Sequence, residues 1–398
     1  MPSRPLIKPL GISASTVVHP SGHGIDALWD AVVHNRSGLR SNELGWCDLP
    51  CAVGVVPDLD DPSIGRLLGD WDCRNHRLAW LALQDRAFQR GVALARSRYG
   101  ADRIAVIVGT STSGIGGTEM AYARRHMDGQ WPPHFNYRHV HAVDALPRFS
   151  AKQLQLEGPL LAVSTACSSS AKVFLLAQRW IAAGIADAAI VGGVDSLCLS
   201  TLHGFDALQL LSQNVCRPFD LNRDGISIGE AAGFMLLEQH PAPVHLSGGG
   251  ESSDAWHMST PHPLGEGAQA AMLAALDQAG LTSSDIGWVN AHGTGTPAND
   301  RSEAAALNSV FGPHGVPVSS TKGITGHTLA AAGIVEAAIC ASAVQHRLLP
   351  PSANLRNHDT SLHLDVLDRA RQTDSRHVMS NSFGFGGSNA ALIFSEGG

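Results

Sequence analysis

A cysteine at a sharp turn is the first place where this sequence could carry out covalent chemistry. Cys167 lies within STACSSS (164–170), between an apolar run that ends at Val163 and a helical pattern that starts at Ala171. The positive end of a helix macrodipole favours the thiolate, which is the form of cysteine that attacks a thioester. The segment therefore predicts a strand, a turn and a helix with a nucleophile at the turn. Burial of Cys167 as a small apolar side chain would explain the segment equally well.

A histidine follows an apolar segment in the second part of the chain. His292 lies in NAHGTGTP (290–297), and the loop after it offers backbone amides and the hydroxyls of Thr294 and Thr296 to a polar ligand. Side chains at the carboxyl ends of strands commonly build the sites of α/β folds. His292 is therefore a candidate site residue, although it could instead cap the helix that follows.

A second histidine, His327, opens a strongly apolar helical pattern, TLAAAGIVEAA (328–338). The helix dipole disfavours a cation there, so we expect a neutral imidazole that donates through one nitrogen and accepts through the other. Lys322 and Glu336 are lone charges in the same apolar neighbourhood, and such groups are rarely buried unless they are paired. They are predicted either to form a buried ion pair or to act directly in the chemistry.

A glycine-rich segment, NSFGFGGSN (381–389), precedes the last apolar run of the chain. Gly386 and Gly387 allow positive φ angles and a close approach of the backbone to a ligand. The glycines do not follow the G-x-G-x-x-G order that opens a helix after a strand, and the P-loop sequence is also missing. The sequence therefore lacks both common nucleotide-binding motifs.

Composition narrows the class of protein further. The chain has 398 residues, 16% of them charged and 44% apolar, with 42 glycines and a net charge of −7. These values indicate a large buried interior and give no reason to expect a nucleic-acid partner.

No apolar run approaches the ~20 residues that span a bilayer, so no membrane span is expected. The seven cysteines are scattered, and Cys47 and Cys51 have no second pair to complete a zinc site. Free thiols, no metal and a cytoplasmic location are expected.

Short β-branched runs alternate with Ala/Leu-rich helical patterns, which predicts an α/β fold with largely parallel sheets. The predicted strands cover residues 103–108, 188–191, 287–290 and 391–394. The predicted helices cover roughly residues 77–97, 168–184, 267–280, 300–310 and 328–345. Proline and glycine cluster in residues 241–250, which predicts two halves, residues 1–245 and 246–398.

Taken together, the segments resemble the β-ketoacyl–acyl-carrier-protein synthases of the elongating class, which use a Cys-His-His triad. The resemblance runs through nearly the whole chain in the order of the family. Its first segments are LWDAVVHNRSGLR (28–40), GTSTSGIGG (109–117), STACSSS (164–170), IVGGVDS (190–196) and RPFDLNRDGISIGEAAG (217–233). It continues through NAHGTGTPAND (290–300), STKGITGHTLAAAG (320–333) and NSFGFGGSNAAL (381–392).

The resemblance implies the thiolase fold, with two pseudo-symmetric halves that each hold a mixed five-stranded sheet, in five layers α-β-α-β-α. It also implies a decarboxylative Claisen condensation. Cys167 would take an acyl group as a thioester and condense it with malonyl–carrier protein to give 3-oxoacyl–carrier protein and CO2. His292 and His327 would stabilise the enolate as neutral imidazoles.

The resemblance assigns supporting residues as well. The backbone N–H groups of Cys167 and Phe385 would form an oxyanion hole, and Phe385 would gate the acyl pocket. Thr294 and Thr296 would bind the phosphopantetheine arm, and Lys322 and Glu336 would support the histidines from behind. Gly114 and Ile115 fall where the family lines the far end of the acyl pocket.

Two departures bear on the substrate. Position 388 is Ser where Thr is commoner in the family, which keeps the hydroxyl. The stretch GGGESSDAWHMSTPHP (248–263) resembles a proteobacterial branch that includes ketosynthases of aryl polyene or xanthomonadin-type pigments. An aryl or polyene acyl chain is therefore an alternative to a saturated fatty acyl chain.

The sequence allows other interpretations to be compared with this one. A thiolase would carry a second cysteine near the C-terminus, but the last cysteine here is Cys340. A chain-length-factor subunit would lack the nucleophile Cys167, and an initiation synthase with a Cys-His-Asn triad would lack His327. A ketosynthase that works only with a chain-length-factor-like partner stays open, and so does a non-enzymatic binding module.

The expected partner is an acidic acyl carrier protein, loaded with acyl or malonyl groups, which itself brings the phosphopantetheine arm. No other cofactor is expected. A net negative enzyme needs a local basic patch to receive this partner, and the candidates are Arg74, Arg77 and Arg217. The resemblance also implies a dimer, either of two identical chains or with a second ketosynthase-like subunit.

Overall fold

The computed structural model describes residues 8–133 and 135–397. Ten main strands fall into two sets of five in chain order. The first set is β1 (Leu10–His19), β2 (Ile104–Gly109), β3 (Leu160–Val163), β4 (Ala188–Asp195) and β5 (Ala231–Glu238). The second set is β6 (Val244–Ser253), β7 (Ile286–Asn290), β8 (Pro317–Ser319), β9 (His377–Gly384) and β10 (Ser388–Glu396).

The two sets have the same topology. The spatial order is β3-β2-β4-β5-β1 in the first half and β8-β7-β9-β10-β6 in the second. In each half the first three strands of that order run parallel and the last two pair antiparallel. The halves join where β1 pairs with β6, at Leu10 opposite Leu246 and Gly11 opposite His245. The internal duplication, which the sequence did not reveal, is thus visible in the strand order.

Helices complete the layers. The first half contains α1 (Ile25–Val33), α2 (Pro62–Leu68), α3 (Arg74–Leu83), α4 (Arg86–Tyr99), α5 (Ile115–Asp128), α6 (Tyr137–Val140), α7 (Ala145–Leu154), α8 (Ser169–Ala182) and α9 (Leu199–Ala207). The second contains α10 (Glu266–Ala279), α11 (Pro297–Phe311), α12 (Lys322–Thr325) and α13 (Ala332–His346). Short strands lie at Gly22–His23, Leu39–Ser41, Ala52–Gly54, Ile228–Gly229, Leu348–Leu349, Asp365–Val366 and Arg371–Gln372.

The middle layer consists of α8 and α13, which pack against each other and against both sheets. Helices α3, α4 and α7 cover the outer face of the first sheet, and α10 and α11 cover that of the second. This is the five-layered thiolase arrangement that the resemblance implied. The middle layer is tightly packed, since a Cβ on Gly333 would lie 2.5 Å from the backbone nitrogen of Ala171. Close packing of the two central helices requires small residues at their contact.

One segment has the length and composition of a membrane span. Leu329–His346 has a mean hydropathy of 1.4, but 89% of it is buried inside the structure. It consists mainly of α13, which is enclosed between the two sheets. Its apolar character is therefore that of a core helix.

One expectation about local structure was wrong. The helix predicted over residues 77–97 is two helices, because the Asp85 side chain accepts a hydrogen bond from the Phe88 N–H at 2.7 Å and caps α4. Residues 248–250, which belong to the segment proposed as the boundary, lie inside β6. They are glycines because α10 packs closely there: a Cβ on Gly250 would lie 2.1 Å from the Ala271 carbonyl oxygen. The proposed boundary between residues 245 and 246 falls within β6 and stays a prediction.

Candidate active site

The ends of three strands bring the candidate residues together. Cys167 follows β3, His292 follows β7 and His327 follows β8. The sulfur of Cys167 and one ring nitrogen of each histidine all lie within 4.8 Å of one another. All three residues are buried, with the Cys167 residue 5% exposed. Residues as far as 160 positions apart in sequence thus form one compact cluster, as the resemblance implied.

The turn that presents Cys167 is strained. Ala166 has a φ of 51°, in the left-handed region that an L-residue enters at a cost. Hydrogen bonds hold the turn in place: Thr165 N–H donates to the Ser169 hydroxyl at 2.9 Å, and the Ser168 hydroxyl donates to the Thr165 carbonyl at 2.9 Å. The small serines of the segment therefore stabilise the bend from within. Helix α8 begins directly afterwards, at Ser169.

The His327 ring is in direct contact with the nucleophile. Its Nε2 lies 2.8 Å from the Cys167 sulfur. The His327 backbone is held by the first half of the chain, because its N–H donates to the Ser227 carbonyl at 2.7 Å and its carbonyl accepts from the Gly229 N–H at 3.0 Å. The His292 ring stands almost perpendicular to the His327 ring, with centroids 5.4 Å apart. Both imidazoles thus face the space beside the sulfur.

Both histidines are neutral, but the cause differs from the expected helix dipole. Burial lowers the pKa of His292 and His327 well below 6.5. The Lys322 ammonium lowers both further, and His327 adds to the effect on His292. The two imidazoles are therefore available as neutral hydrogen-bond donors and acceptors near neutral pH.

The expected thiolate at Cys167 was wrong for the resting protein. Burial raises the pKa of the Cys167 thiol to about 12. Lys322 and the backbone N–H groups of Phe385 and Cys167 act in the opposite direction, but burial outweighs them. The position before α8 therefore does not by itself ionise the sulfur, and the proton must leave as the thiol reacts.

The same two N–H groups mark a site for negative charge. The backbone N–H groups of Phe385 and Cys167 lie close enough to the Cys167 sulfur to lower the pKa of its thiol. Phe385 begins the short turn that follows β9, in which Gly386 and Gly387 have φ values of 78° and 75°. Two backbone donors beside the nucleophile are the groups that the predicted oxyanion hole requires.

The two predicted lone charges meet as a buried ion pair. Lys322 Nζ hydrogen-bonds to Glu336 Oε1, and their side chains are only 2% and 4% exposed. Burial raises the pKa of Glu336 to about 7, while the charge and hydrogen bond of Lys322 act to lower it. Because Lys322 influences the pKa of Cys167, His292 and His327, the pair sets the electrostatics of the whole cluster.

Sequence reasoning missed a buried glutamate on α11. The Glu303 carboxylate accepts the backbone N–H groups of His292 and Gly293 at 2.8 and 2.7 Å. It also accepts from the Asn381 side chain at 3.3 Å, and burial raises its pKa to about 7. Glu303 thereby fixes the backbone at His292. No clear signal marked it in the sequence, because Asp300 and Arg301 precede Glu303 in the same helix and make it one charge of several.

Asp195, at the end of β4, was missed as well. Its carboxylate accepts from the Thr110 hydroxyl at 2.8 Å, from the Thr112 N–H at 3.0 Å and from the Ala330 N–H at 2.8 Å. Asp195 thus ties the loop after β2 to the turn that follows His327. Asp195 is completely buried, so its carboxylate oxygens accept hydrogen bonds from protein groups and not from solvent.

A cavity of about 100 Å³ opens onto the cluster. Thr294 and Thr296 line it as predicted, and their hydroxyls lie 2.9 Å apart. Thr296 rather than His292 caps the next helix, by accepting from the Asn299 N–H at 3.3 Å. Apolar side chains form another part of the wall: Phe205, Leu210, Ile226, Phe383 and Phe385. The cavity therefore combines a polar entrance with an apolar wall beside the sulfur.

The structure does not bring Gly114 and Ile115 into this cavity. They lie at the start of α5, where Gly114 N–H donates to the Val140 carbonyl at 3.0 Å. The cavity wall on this side is formed by Phe205 of α9. The predicted far end of an acyl pocket is therefore separated from the cluster in this conformation.

Two of the three predicted docking arginines are engaged within the chain. Arg74 pairs with the buried Glu230 at 2.6 Å, and Arg77 pairs with Asp72 at 2.7 Å. These contacts contradict a role as free docking charges, because a paired guanidinium presents little net charge to a partner. Within residues 8–133 and 135–397, Arg217 has no ion pair. It borders a polar groove together with Arg356.

Family models match both halves of the chain. Residues 75–242 match the N-terminal domain of beta-ketoacyl synthases, and residues 245–356 match the C-terminal domain. Among curated relatives, 3-oxoacyl-[acyl-carrier-protein] synthase 2 of Vibrio cholerae is 33% identical over 422 residues, covering 96% of this chain and 98% of the relative. Nodulation protein E of Rhizobium meliloti is 36% identical over 335 residues, covering 80% and 81%.

Solved structures have the same architecture. A ketosynthase (ApeO) from Xenorhabdus doucetiae, solved in complex with its chain length factor (ApeC), is 40% identical, with a TM-score of 0.90 and full coverage of both chains. The ishigamide ketosynthase/chain length factor matches at 28% identity with a TM-score of 0.89, covering 98% of this chain and 100% of the other. A beta-ketoacyl synthase from Burkholderia phymatum matches at 26% identity and a TM-score of 0.86, covering 98% and 99%.

Proposed function

Because the chain belongs to the β-ketoacyl synthase family, we propose that Cys167, His292 and His327 carry out the reaction of that family here. The enzyme is a β-ketoacyl–acyl-carrier-protein synthase, an acyltransferase that condenses an acyl thioester with malonyl–carrier protein and releases CO2. The observation that carries the assignment of roles is the 2.8 Å contact between the Cys167 sulfur and His327 Nε2, beside a second neutral imidazole.

The first half-reaction loads the acyl group. The Cys167 thiol has a pKa of about 12, so its proton passes to His327 Nε2 as the sulfur attacks the thioester carbonyl. The N–H groups of Cys167 and Phe385 receive the oxyanion. The tetrahedral intermediate collapses to acyl-Cys167, and the phosphopantetheine thiol leaves with the proton.

The second half-reaction forms the carbon–carbon bond. The thioester carbonyl of malonyl–carrier protein accepts hydrogen bonds from His292 and His327, which stabilise the enolate oxygen as CO2 leaves. The enolate carbon attacks acyl-Cys167, and the thiolate departs and recovers a proton. Burial keeps both imidazoles neutral, the Lys322 charge adds to this effect, and Glu336 pairs with that charge. No redox step occurs, so the carrier-borne phosphopantetheine is the only prosthetic group that we propose.

The exposed surface of the first half favours a subunit partner. Met120, Tyr122 and Met127 of α5 are 75%, 58% and 82% exposed. Strand β3, with the half-exposed Leu160 and Leu161, is the edge strand of its sheet. Proteins normally cover an apolar edge strand and an apolar helix face of this size. We assign this surface to a second ketosynthase-like subunit, of the chain-length-factor type found with the 40%-identical ketosynthase.

The acyl substrate is proposed to be an aryl or polyene chain. The support is the local pattern of residues 248–263 and the similarity to a ketosynthase that works beside a chain length factor. Arg217 remains the proposed contact for the acidic carrier protein, since it is free of ion pairs among the described residues. A cytoplasmic location is proposed because all seven cysteines are free thiols.

Intact-protein mass spectrometry with a panel of acyl–carrier proteins, followed by malonyl–carrier protein, tests the function. We expect an acyl adduct on Cys167 that disappears as 3-oxoacyl product forms, preferentially with aryl or polyene donors. The Cys167→Ala variant should form no adduct. Cys73→Ser is the matched control, because Cys73 is buried at the N-cap of α3, where serine is well accommodated. A saturated donor that loads best would contradict the aryl or polyene substrate. An adduct that persists in Cys167→Ala would contradict the nucleophile.

A further inference from the structure

Helix α9 is capped by a residue from another helix. Its own N-cap residue, Cys198, makes no side-chain capping hydrogen bond. Instead, the Glu119 carboxylate of α5 accepts the Leu199 N–H at 3.0 Å and the Ser200 N–H at 2.7 Å. A carboxylate at this position satisfies two free N–H groups and interacts favourably with the helix dipole. Glu119 thus fastens the N-terminus of α9 to α5.

The rest of α9 has few buried side chains. Leu202 is its one fully buried residue, Leu199 and Phe205 are partly buried against the same cluster, and Gly204 lies near its middle. At its other end the chain is anchored by Leu210, whose carbonyl accepts from the Ile226 N–H at 2.8 Å. A short helix that buries one side chain has little packing to fix it. The bond to Glu119 is therefore a large part of what holds its first turn.

Helix α9 forms a wall of the active-site cavity. Phe205 lines that cavity, and its ring centroid lies 5.5 Å from that of the gate residue Phe385. On the other side of α9 lies the first turn of α5, where a Cβ on Gly116 would be 3.6 Å from the Cys198 Cβ. Gly114 and Ile115 belong to this turn and lie outside the cavity. The wall therefore stands between Cys167 and the first turn of α5.

We propose that Glu119 is a specificity-determining positioning residue, which latches α9 and its Phe205 across the acyl cavity and so limits the length of the chain attached to Cys167. Release of the latch lets the first turn of α9 move away and extends the cavity toward Gly114 and Ile115. The proposal deepens the ketosynthase function and rests on it for the identity of the natural ligand, a thioester-bound acyl chain.

The test uses alkylation of Cys167, which requires neither carrier recognition nor condensation. Purified full-length protein is treated with N-ethyl and N-dodecyl iodoacetamide, and the rate of adduct formation at Cys167 is followed by mass spectrometry. In Glu119→Gln the ratio of the dodecyl rate to the ethyl rate should rise about tenfold, which corresponds to about 1.4 kcal/mol. Asp128→Asn, on the same helix but paired only with Arg124 at the surface, should leave the ratio unchanged.

Phe205→Ala removes the wall directly and should raise the same ratio. A Glu119→Gln ratio within about twofold of wild type would overturn the latch, and an unchanged ratio in Phe205→Ala would overturn the wall. If Glu119→Gln does not fold, Glu119→Asp replaces it, because the shorter carboxylate cannot reach both N–H groups; an unchanged ratio there overturns the proposal equally. Failure of acyl–carrier proteins to load Cys167 would contradict the ketosynthase function. The ratio of the dodecyl and ethyl alkylation rates would still test the latch, because alkylation does not require a carrier protein.

Discussion

The two halves of the molecule have the same strand order but contribute different chemistry at equivalent positions. After β3 comes Cys167, and after the equivalent β8 come Lys322 and His327. Asp195, which organises loops, ends β4, and Phe385, the proposed gate residue, follows the equivalent β9. The duplicated fold thus determines where functional residues lie, at strand ends that face one another. The side chains at those ends determine which half supplies the nucleophile and which supplies the imidazoles and the charge.

The halves also differ in how they place charge. The second half buries the ion pair of Lys322 and Glu336 next to the reacting groups, and Lys322 shifts the pKa of residues from both halves. The first half keeps pairs such as Arg103 and Asp187 at the surface, with side chains 37% and 45% exposed. A buried charge acts through a low effective dielectric and a surface charge does not. The Lys322 charge of the second half lowers the pKa of the Cys167 thiol, and the buried Asp195 carboxylate of the first half raises it.

The largest expected effect comes from breaking the buried pair. Glu336→Gln leaves the Lys322 ammonium buried without a carboxylate, so the free energy of unfolding should fall by about 3–5 kcal/mol. The measurement is denaturant unfolding at about pH 8, where Glu336 with its pKa of about 7 is ionised in the wild type. Asp187→Asn, which breaks a surface pair of the first half, should cost much less.

A double variant separates charge from packing. Lys322→Met combined with Glu336→Leu replaces the pair with apolar groups, so stability should largely recover. The rate of condensation should stay low, because the charge that lowers the pKa of both histidines is gone. If Glu336→Gln were as stable as Asp187→Asn, the electrostatic contrast between the halves would be wrong.

The next effect separates the two half-reactions. His292→Ala removes one enolate donor from the second half but leaves the 2.8 Å contact of His327 with Cys167 in place. Decarboxylation of malonyl–carrier protein should fall about 10²–10³-fold, the effect of losing one oxyanion donor. Acyl loading of Cys167, measured by intact mass, should change by no more than about threefold, well below that effect.

His327→Ala is the comparison for that experiment, since it should impair loading as well as decarboxylation. Equal losses of loading in the two variants would show that His292 also serves the first half-reaction. The assignment of acyl loading to the first half and enolate stabilisation to the second half would then be wrong. The two imidazoles would act as one unit.

Much of the site could be predicted because its chemistry is local in sequence. Cys167 and His292 each follow an apolar run, which marks a strand end without any three-dimensional information, and His327 precedes an apolar helical pattern. The buried pair of Lys322 and Glu336 follows from two lone charges in an apolar neighbourhood. Burial itself is a property of the assembled layers, so the sequence could not show that it outweighs the dipole at Cys167.

Other features depend on contacts between segments that are distant in sequence. Glu303 and Asp195 act on backbone N–H groups, which every residue has, so no side-chain pattern marks their partners. Helix α9 becomes a cavity wall only through the packing of Phe205 against Phe385. The separation of Gly114 and Ile115 from the cavity follows from the same contact. The duplication cannot be recognised in the sequence, because equivalent strands occupy the same position in their sheets but carry different residues.

The smallest predicted effect is on the pH dependence of stability. It tests whether buried neutral histidines occur outside the active site as well. His76, in the first half and far from the chemistry, is completely buried, and burial lowers its pKa to about 4. The folded state keeps it neutral, while the unfolded chain binds a proton below the ordinary pKa of 6.5. Its contribution to stability is therefore complete above pH 6.5 and is lost as the pH falls toward 4.

Between about pH 7.5 and about pH 5 this group should cost the wild type about 2 kcal/mol of unfolding free energy. His76→Gln cannot titrate, yet it can still donate to the Trp71 carbonyl that accepts from His76 Nδ1 at 2.8 Å. Denaturant unfolding of both proteins at the two pH values should show the smaller loss in the variant, whatever its absolute stability. Parallel losses would mean that His76 is not neutral by burial. A smaller loss would show that the first half uses the same desolvation as the active site, and that what makes His292 and His327 catalytic is their position beside Cys167.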